Sequence, residues 1–137
     1  MTPRVGLIGC MGLLLMGSGL APACEPVPIG ADAQRVSGGR FVLDWRADPA
    51  PLKLGEFFAV VVSACERSGA TVAALKVDAA MPLHRHGMNY VATVGSEGAG
   101  RFRATGLLLH MPGQWEFTFD LAGAGTRETL RTDVDLR

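Results

Sequence analysis

The chain has 137 residues, with 13 Lys and Arg against 13 Asp and Glu, three histidines, three cysteines and six methionines. A formal net charge of zero and no Lys/Arg cluster leave no basic stripe of the kind that binds nucleic acid. The length limits the protein to one domain with a modest core of immunoglobulin-like size, too small to surround a large enzyme cleft.

The first stretch reads as a targeting segment. Arg4 supplies a positive charge, Val5 to Leu20 is apolar and uncharged, and Ala21-Pro22-Ala23 has the small-x-small pattern of a cleavage site. As a membrane helix the run is short, and Gly6, Gly9, Gly12, Gly17 and Gly19 interrupt it. Residues 1–23 are therefore expected to be a secretory signal peptide, which sends the protein to the periplasm or the exterior. Cleavage there removes Arg4 and no acid, so the mature 114 residues carry 12 Lys and Arg against 13 Asp and Glu.

Cys10 leaves with that segment, and Cys24 and Cys65 remain in a compartment where disulfides persist. A bridge between them would tie the N-terminus to the body of the domain. The first alternative is lipidation of Cys24, which would anchor the protein in the envelope membrane, although Ala21 stands where a lipobox carries a branched aliphatic residue. The second is Cys65 as a metal ligand, which its apolar context from Val60 to Ala64 does not favour.

Residues 24–39 are rich in Pro, Gly, Ala and Ser without periodicity, which predicts an extended lead-in rather than a structural element. The domain proper is expected over 40–137. Phe41, Leu43 and Trp45 alternate with Val42 and Asp44, giving a strand with one apolar face, and Asp48-Pro49-Ala50-Pro51 ends it. Phe57 to Ala64 is a continuous apolar, β-branched run, as in a central strand covered on both faces. Turn residues Glu66 to Gly69 follow, and Val72 to Ala80 then alternates, with Leu75, Val77 and Ala79 on one face.

Beyond Tyr90 a weaker strand is expected near Val91 to Val94, followed by a flexible glycine-rich turn. Phe102, Ala104, Gly106, Leu108 and His110 share one parity, which predicts that His110 faces inward at a strand's end. Trp115, Phe117, Phe119 and Leu121 give the clearest alternation, and Leu130, Thr132, Val134 and Leu136 give the last. About seven short strands without a helix predict an all-β, immunoglobulin-like antiparallel β-sandwich.

Two loops concentrate the chemistry. Met81-Pro82-Leu83-His84-Arg85-His86-Gly87-Met88 holds two histidines and two methionines, and His110-Met111-Pro112-Gly113 holds the third histidine beside another methionine. Imidazole nitrogen with thioether sulfur is a donor set that suits copper, sulfur favouring the reduced ion. Each cluster also has a plain reading, since His-x-His between Gly and Pro is a common polar turn and methionine fills gaps in cores.

In an extended stretch His84 and His86 would point to one side, and Gly87 would permit the turn that returns Met88 toward them. The expected metal ligands are His84, His86, Met88 and His110, with Met111 and Met81 as weaker candidates and Met81 the one most suited to the core. Arg85 is expected in solvent, Tyr90 to pack over the loop, and Trp115 to belong to the core.

These two motifs, Val77 to Tyr90 and Gly106 to Trp115, resemble those of the YtkA-like domain family of small secreted bacterial proteins. That family pairs a Met-Pro-x-His-x-His-Gly-Met loop with a Gly-Leu-x-x-His-Met-Pro-Gly-x-Trp hairpin, and the likeness covers about residues 40–136. It implies an immunoglobulin-like sandwich and a link to copper handling.

Enzyme readings fit the residues less well. Blue copper needs a cysteine thiolate beside two histidines, and neither motif contains cysteine. A histidine-brace oxygenase needs a histidine at the mature N-terminus, where Cys24 would stand. A three-histidine zinc hydrolase from His84, His86 and His110 would need a nearby carboxylate base, and neither motif has an acid. A serine triad lacks a nucleophile elbow. The sequence therefore predicts a non-enzymatic copper-binding or copper-delivery protein whose partners are copper and an envelope protein. The alternative is a metal-free module that docks on an envelope partner through the same loops.

Overall fold

The computed structural model describes residues 24–137; the expected signal peptide, with Cys10, lies outside the described residues. Nine strands run in order: β1 (Gln34–Ser37), β2 (Phe41–Asp48), β3 (Phe57–Glu66), β4 (Ala74–Met81), β5 (His86–Gly87), β6 (Thr93–Gly98), β7 (Arg101–Leu108), β8 (Gly113–Ala122) and β9 (Arg127–Leu136). A 3-10 turn, Pro82–His84, sits between β4 and β5. The strands form two antiparallel sheets, ordered β1-β2-β3-β7-β6 and β5-β4-β8-β9.

With the short edge strands β1 and β5 set aside, the first, second, fifth and fourth strands make one sheet and the third, sixth and seventh the other. This is the strand arrangement of immunoglobulin-type sandwiches.

Period-two alternation places the apolar faces of both sheets against each other. Trp45 of β2 stacks on Phe117 of β8 with ring centroids 5.1 Å apart and lies 5.7 Å from Phe119, so the sheets meet through aromatic rings at the centre of the core. Phe41, Leu43, Val60, Val62, Val77 and Leu121 complete that layer and are almost wholly excluded from water. Each such side chain contributes about 1.5–3 kcal/mol relative to its exposed state.

β3 is buried on both faces, as its continuous apolar run predicted. The physical cause is the lead-in. Cys24 is disulfide-bonded to Cys65, the Arg46 guanidinium donates from Nε to the Ile29 carbonyl at 2.8 Å, and Arg35 pairs with both Glu25 and Asp44. Residues 24–33 are thereby held across the outer face of the five-stranded sheet, where Val61 and Ser63 are buried.

Four expectations need correction. Among the described residues there are nine strands rather than about seven, because β1 lies within the lead-in and the two-residue β5 lies within the histidine loop. Residues 34–37 pair with Val42 to Trp45, an edge pairing that a polar Gln-Arg-Val-Ser segment does not announce. The strand expected over 91–94 is displaced to Thr93–Gly98, so part of the glycine-rich turn is paired with β7.

The inward parity expected for Leu108 and His110 is also reversed. Gly106 adopts φ +81°, and the β3–β7 register gains one residue on β7 there, with Phe58 opposite Leu107 but Val60 opposite Ala104. Such a bulge shifts the face of every later residue. Leu107 and Leu109 therefore fill the core, and His110 follows beyond the strand.

Candidate metal site

The end of the sandwich that carries both motifs is built from backbone registers. β4 ends at Met81, whose side chain is buried, and Met81 pairs with His86 while Ala80 pairs with Gly87. The Met88 N–H continues this contact by donating to the Ala79 carbonyl at 3.2 Å. Pairing of Ala80 with Glu116 sets β8 on the other side of β4 and so brings Trp115 beside the same strand end.

Local sequence explains the tight loop between them. Pro82 begins the 3-10 turn, and Arg85 closes it in the left-handed conformation, φ 55°, its N–H donating to the Pro82 carbonyl. The reversal thus occurs at Arg85 and not at Gly87, which lies in a strand. His84 sits in the 3-10 turn rather than in extended chain, so the expected i, i+2 grip by His84 and His86 is not formed in that way.

The second motif returns after β7. The Leu109 carbonyl accepts from the Gly55 N–H at 2.9 Å, and the Met111 carbonyl accepts from Trp115 Nε1–H at 2.9 Å, which fixes the link from β7 to β8 at two points. Gly113, at φ 125°, packs under this link. A Cβ there would stand 2.9 Å from the Met81 methyl, the movable end of a flexible side chain, so it is the backbone conformation that favours glycine at this position.

These constraints bring His86 and His110 together. Their ring centroids are 5.2 Å apart and tilted by 34°, and both rings are half-buried. Trp115 lies against both, its centroid 5.9 Å from His86 and 5.6 Å from His110, in edge-to-face arrangements. His84 is exposed on the rim, 5.9 Å from His86. Met81 is buried in the core cluster, and Met88 and Met111 are half-buried against it.

The hydrogen-bond state of the two imidazoles is informative. His86 Nδ1 lies 3.2 Å from the Gly87 carbonyl, and a carbonyl only accepts, so Nδ1 is the donor in that contact. Nε2 of the same ring is buried without a partner, as is Nδ1 of His110. Buried polar atoms are normally satisfied, so two imidazole nitrogens left over on adjacent rings mark this end as a candidate ligand site.

Among the described residues, no group of three or more His, Cys, Asp or Glu side chains is arranged to hold a metal ion. The arrangement therefore offers two neighbouring imidazoles, with Met88 and Met111 close to them in the chain, and His84 stands at the edge rather than as an equal third member. The residues fit a soft, low-coordinate cation better than one that requires a full set of nitrogen and oxygen donors.

Arg85 is exposed, as expected. Tyr90 packs edge-on to Phe57, with centroids 5.0 Å apart. Sequence reasoning missed the role of Trp115 as the shared wall of both imidazoles. The signal was present in His110-Met111-Pro112-Gly113-Gln114-Trp115, since a Pro-Gly reversal between His110 and Trp115 returns the chain on itself. It was obscured because Trp115 also begins the strongest apolar alternation.

Cys24 and Cys65 form the bridge at the far end of β3 and take no part in this site. No family model matches the chain, and no curated protein or solved structure matches it significantly.

Proposed function

We propose that the protein binds copper, in its reduced form, at the His86–His110 pair and serves copper binding or delivery outside the cytoplasm. The observation that carries this reading is the pair of neighbouring half-buried imidazoles, each with a buried ring nitrogen lacking a partner; Met88 is two residues from His86 and Met111 adjoins His110 in the chain. Two nitrogens fix position, and a thioether biases the set toward the monovalent ion over zinc. The likeness to YtkA-like domains supports the same reading, as does the signal-like N-terminal sequence for the compartment.

Titration of the mature protein with Cu(I) against a calibrated chelator tests it. One tightly held equivalent is expected, lost when His86 and His110 are both replaced by alanine, and weakened as the pH falls because protons compete for the imidazole lone pairs. Binding no tighter than that of the double variant would overturn the assignment.

A second reading is favoured by a separate observation. Leu54, Phe57, Leu83, Tyr90 and Val91 are large apolar residues exposed at the end that carries both motifs. Such a grouping suits docking on an envelope protein partner, either as the step that passes copper on or as the whole function of a metal-free module. A parent protein that captures an envelope partner equally well with and without copper, and binds no copper itself, would select the metal-free module.

A further inference from the structure

The two tryptophans are both buried, yet they are held differently. Trp45 stacks on Phe117 with its Nε1–H unpartnered, the state of a side chain retained for packing. Trp115 is fully excluded from water, donates from Nε1 to the Met111 carbonyl, and has both His86 and His110 against its ring. The three ring centroids make a nearly equilateral triangle with sides of 5.2, 5.6 and 5.9 Å.

From this geometry we propose that Trp115 is the positioning and selectivity residue of the site, an inference that rests on the His86–His110 reading above. Its N–H holds the link that carries His110, which sets the distance between the imidazoles. Its ring closes one side of the pair with a surface that has no lone pair to donate and admits no water.

The consequence for the bound ion follows from coordination chemistry. Zinc requires about four donors, and a wall of indole beside two imidazoles removes positions at which water or a side chain could supply them. A monovalent d10 ion such as Cu(I) or Ag(I) is satisfied by two or three soft donors, so it loses less than zinc does where those positions are closed. The tryptophan therefore disfavours the divalent ion more than the monovalent one at the same atoms.

The test uses the mature protein with Ag(I), an air-stable monovalent probe, and Zn(II) for comparison. In the parent, one equivalent of Ag(I) is expected to perturb indole absorption and emission, and to do so equally in Trp45→Phe, so that the signal belongs to Trp115. Trp115→Leu is expected to lower the preference for Ag(I) over Zn(II) by about tenfold or more, and Trp115→Phe, which keeps an aromatic wall, by less.

A merely structural role would weaken both ions together and leave their ratio unchanged. An unchanged ratio in folded Trp115→Leu overturns the inference. So does Ag(I) binding to the parent with no change in its indole spectrum, a result that needs no variant to fold. Failure of the parent to bind Ag(I) at all removes the His86–His110 reading itself, and with it this inference.

Discussion

The two ends of the sandwich are formed by the same strands but use their polar groups differently. At the end away from the motifs, the Glu128 carboxylate accepts from the backbone N–H groups of Gly39, Arg40 and Phe41 at 2.8, 3.0 and 2.9 Å, clamping the β1–β2 turn to β9. Thr126 donates to Glu66 at 2.9 Å, and Cys24 is bonded to Cys65. Gly100, at φ 72°, lies so close to the Ala64 carbonyl that any side chain would collide with it.

At the motif end, by contrast, His86 and His110 retain unpartnered ring nitrogens, and five large apolar residues stand exposed. One end thus uses Glu128 and Thr126 to hold the chain, while Glu66 Oε2, Ser63 Oγ and Arg101 Nε are buried there without a partner of their own. The other holds its groups in place through Trp115, Met81 and the β4–β5 register while leaving their donor atoms free.

Four perturbations would break or sharpen that contrast. The largest effect is expected at the motif end and on binding alone. Replacing His86 and His110 by alanine should weaken Cu(I) by more than about a hundredfold, whereas His84→Ala, at the exposed rim, should cost no more than about threefold. Chelator competition measures both, and a greater loss from His84→Ala than from His110→Ala would move the centre of the site into the 3-10 turn.

At the far end the effects should fall on stability instead. Reducing Cys24–Cys65, or replacing both cysteines by serine, should lower unfolding free energy by about 2–4 kcal/mol in urea titrations, with copper affinity unchanged. Coupled loss of affinity would show that the two ends are not independent.

Glu128→Ala should cost about 1–3 kcal/mol at neutral pH, since three backbone donors lose a charged acceptor. Burial of this carboxyl acts to raise its pKa, but the N–H groups of Phe41, Arg40 and Gly39 outweigh it and hold the group below its ordinary value. A folded-state pKa below the unfolded one stabilises the protein at higher pH. That contribution should decline as the pH drops below the ordinary glutamate value of 4.5 and be gone below the depressed folded value. Urea titrations of parent and variant across this range should converge on the acid side.

The smallest effect is expected for Asp48→Asn. The hydrogen bond from Arg103 holds the Asp48 carboxyl below its usual range, at 2.6 Å, but the pair lies open to solvent and is screened by salt. Thermal unfolding should shift less than for Glu128→Ala, and the residual shift should vanish at high ionic strength.

Much of the fold was legible in the chain because alternation is a local property. Trp115-x-Phe117-x-Phe119-x-Leu121 specifies an apolar face whatever the rest of the molecule does, and the unbroken run from Phe57 specifies a strand covered on both sides. The clustering of imidazole and thioether donors in two loops was equally plain. The sequence also identified Met81 as suited to the core.

Tertiary structure alone decided how the loops meet. Which face His110 serves depended on the bulge at Gly106, which a parity count carries straight through. Where the first loop reverses depended on Arg85 adopting a left-handed conformation that glycine would have been expected to take. The sequence made His84 and His86 the gripping pair with His110 completing the set, whereas the structure set His86 against His110 and left His84 at the rim. That choice was made by the pairing of Met81 with His86 and of Ala80 with Glu116, because proximity between residues distant in sequence is fixed by strand register and not by any period within the segments themselves.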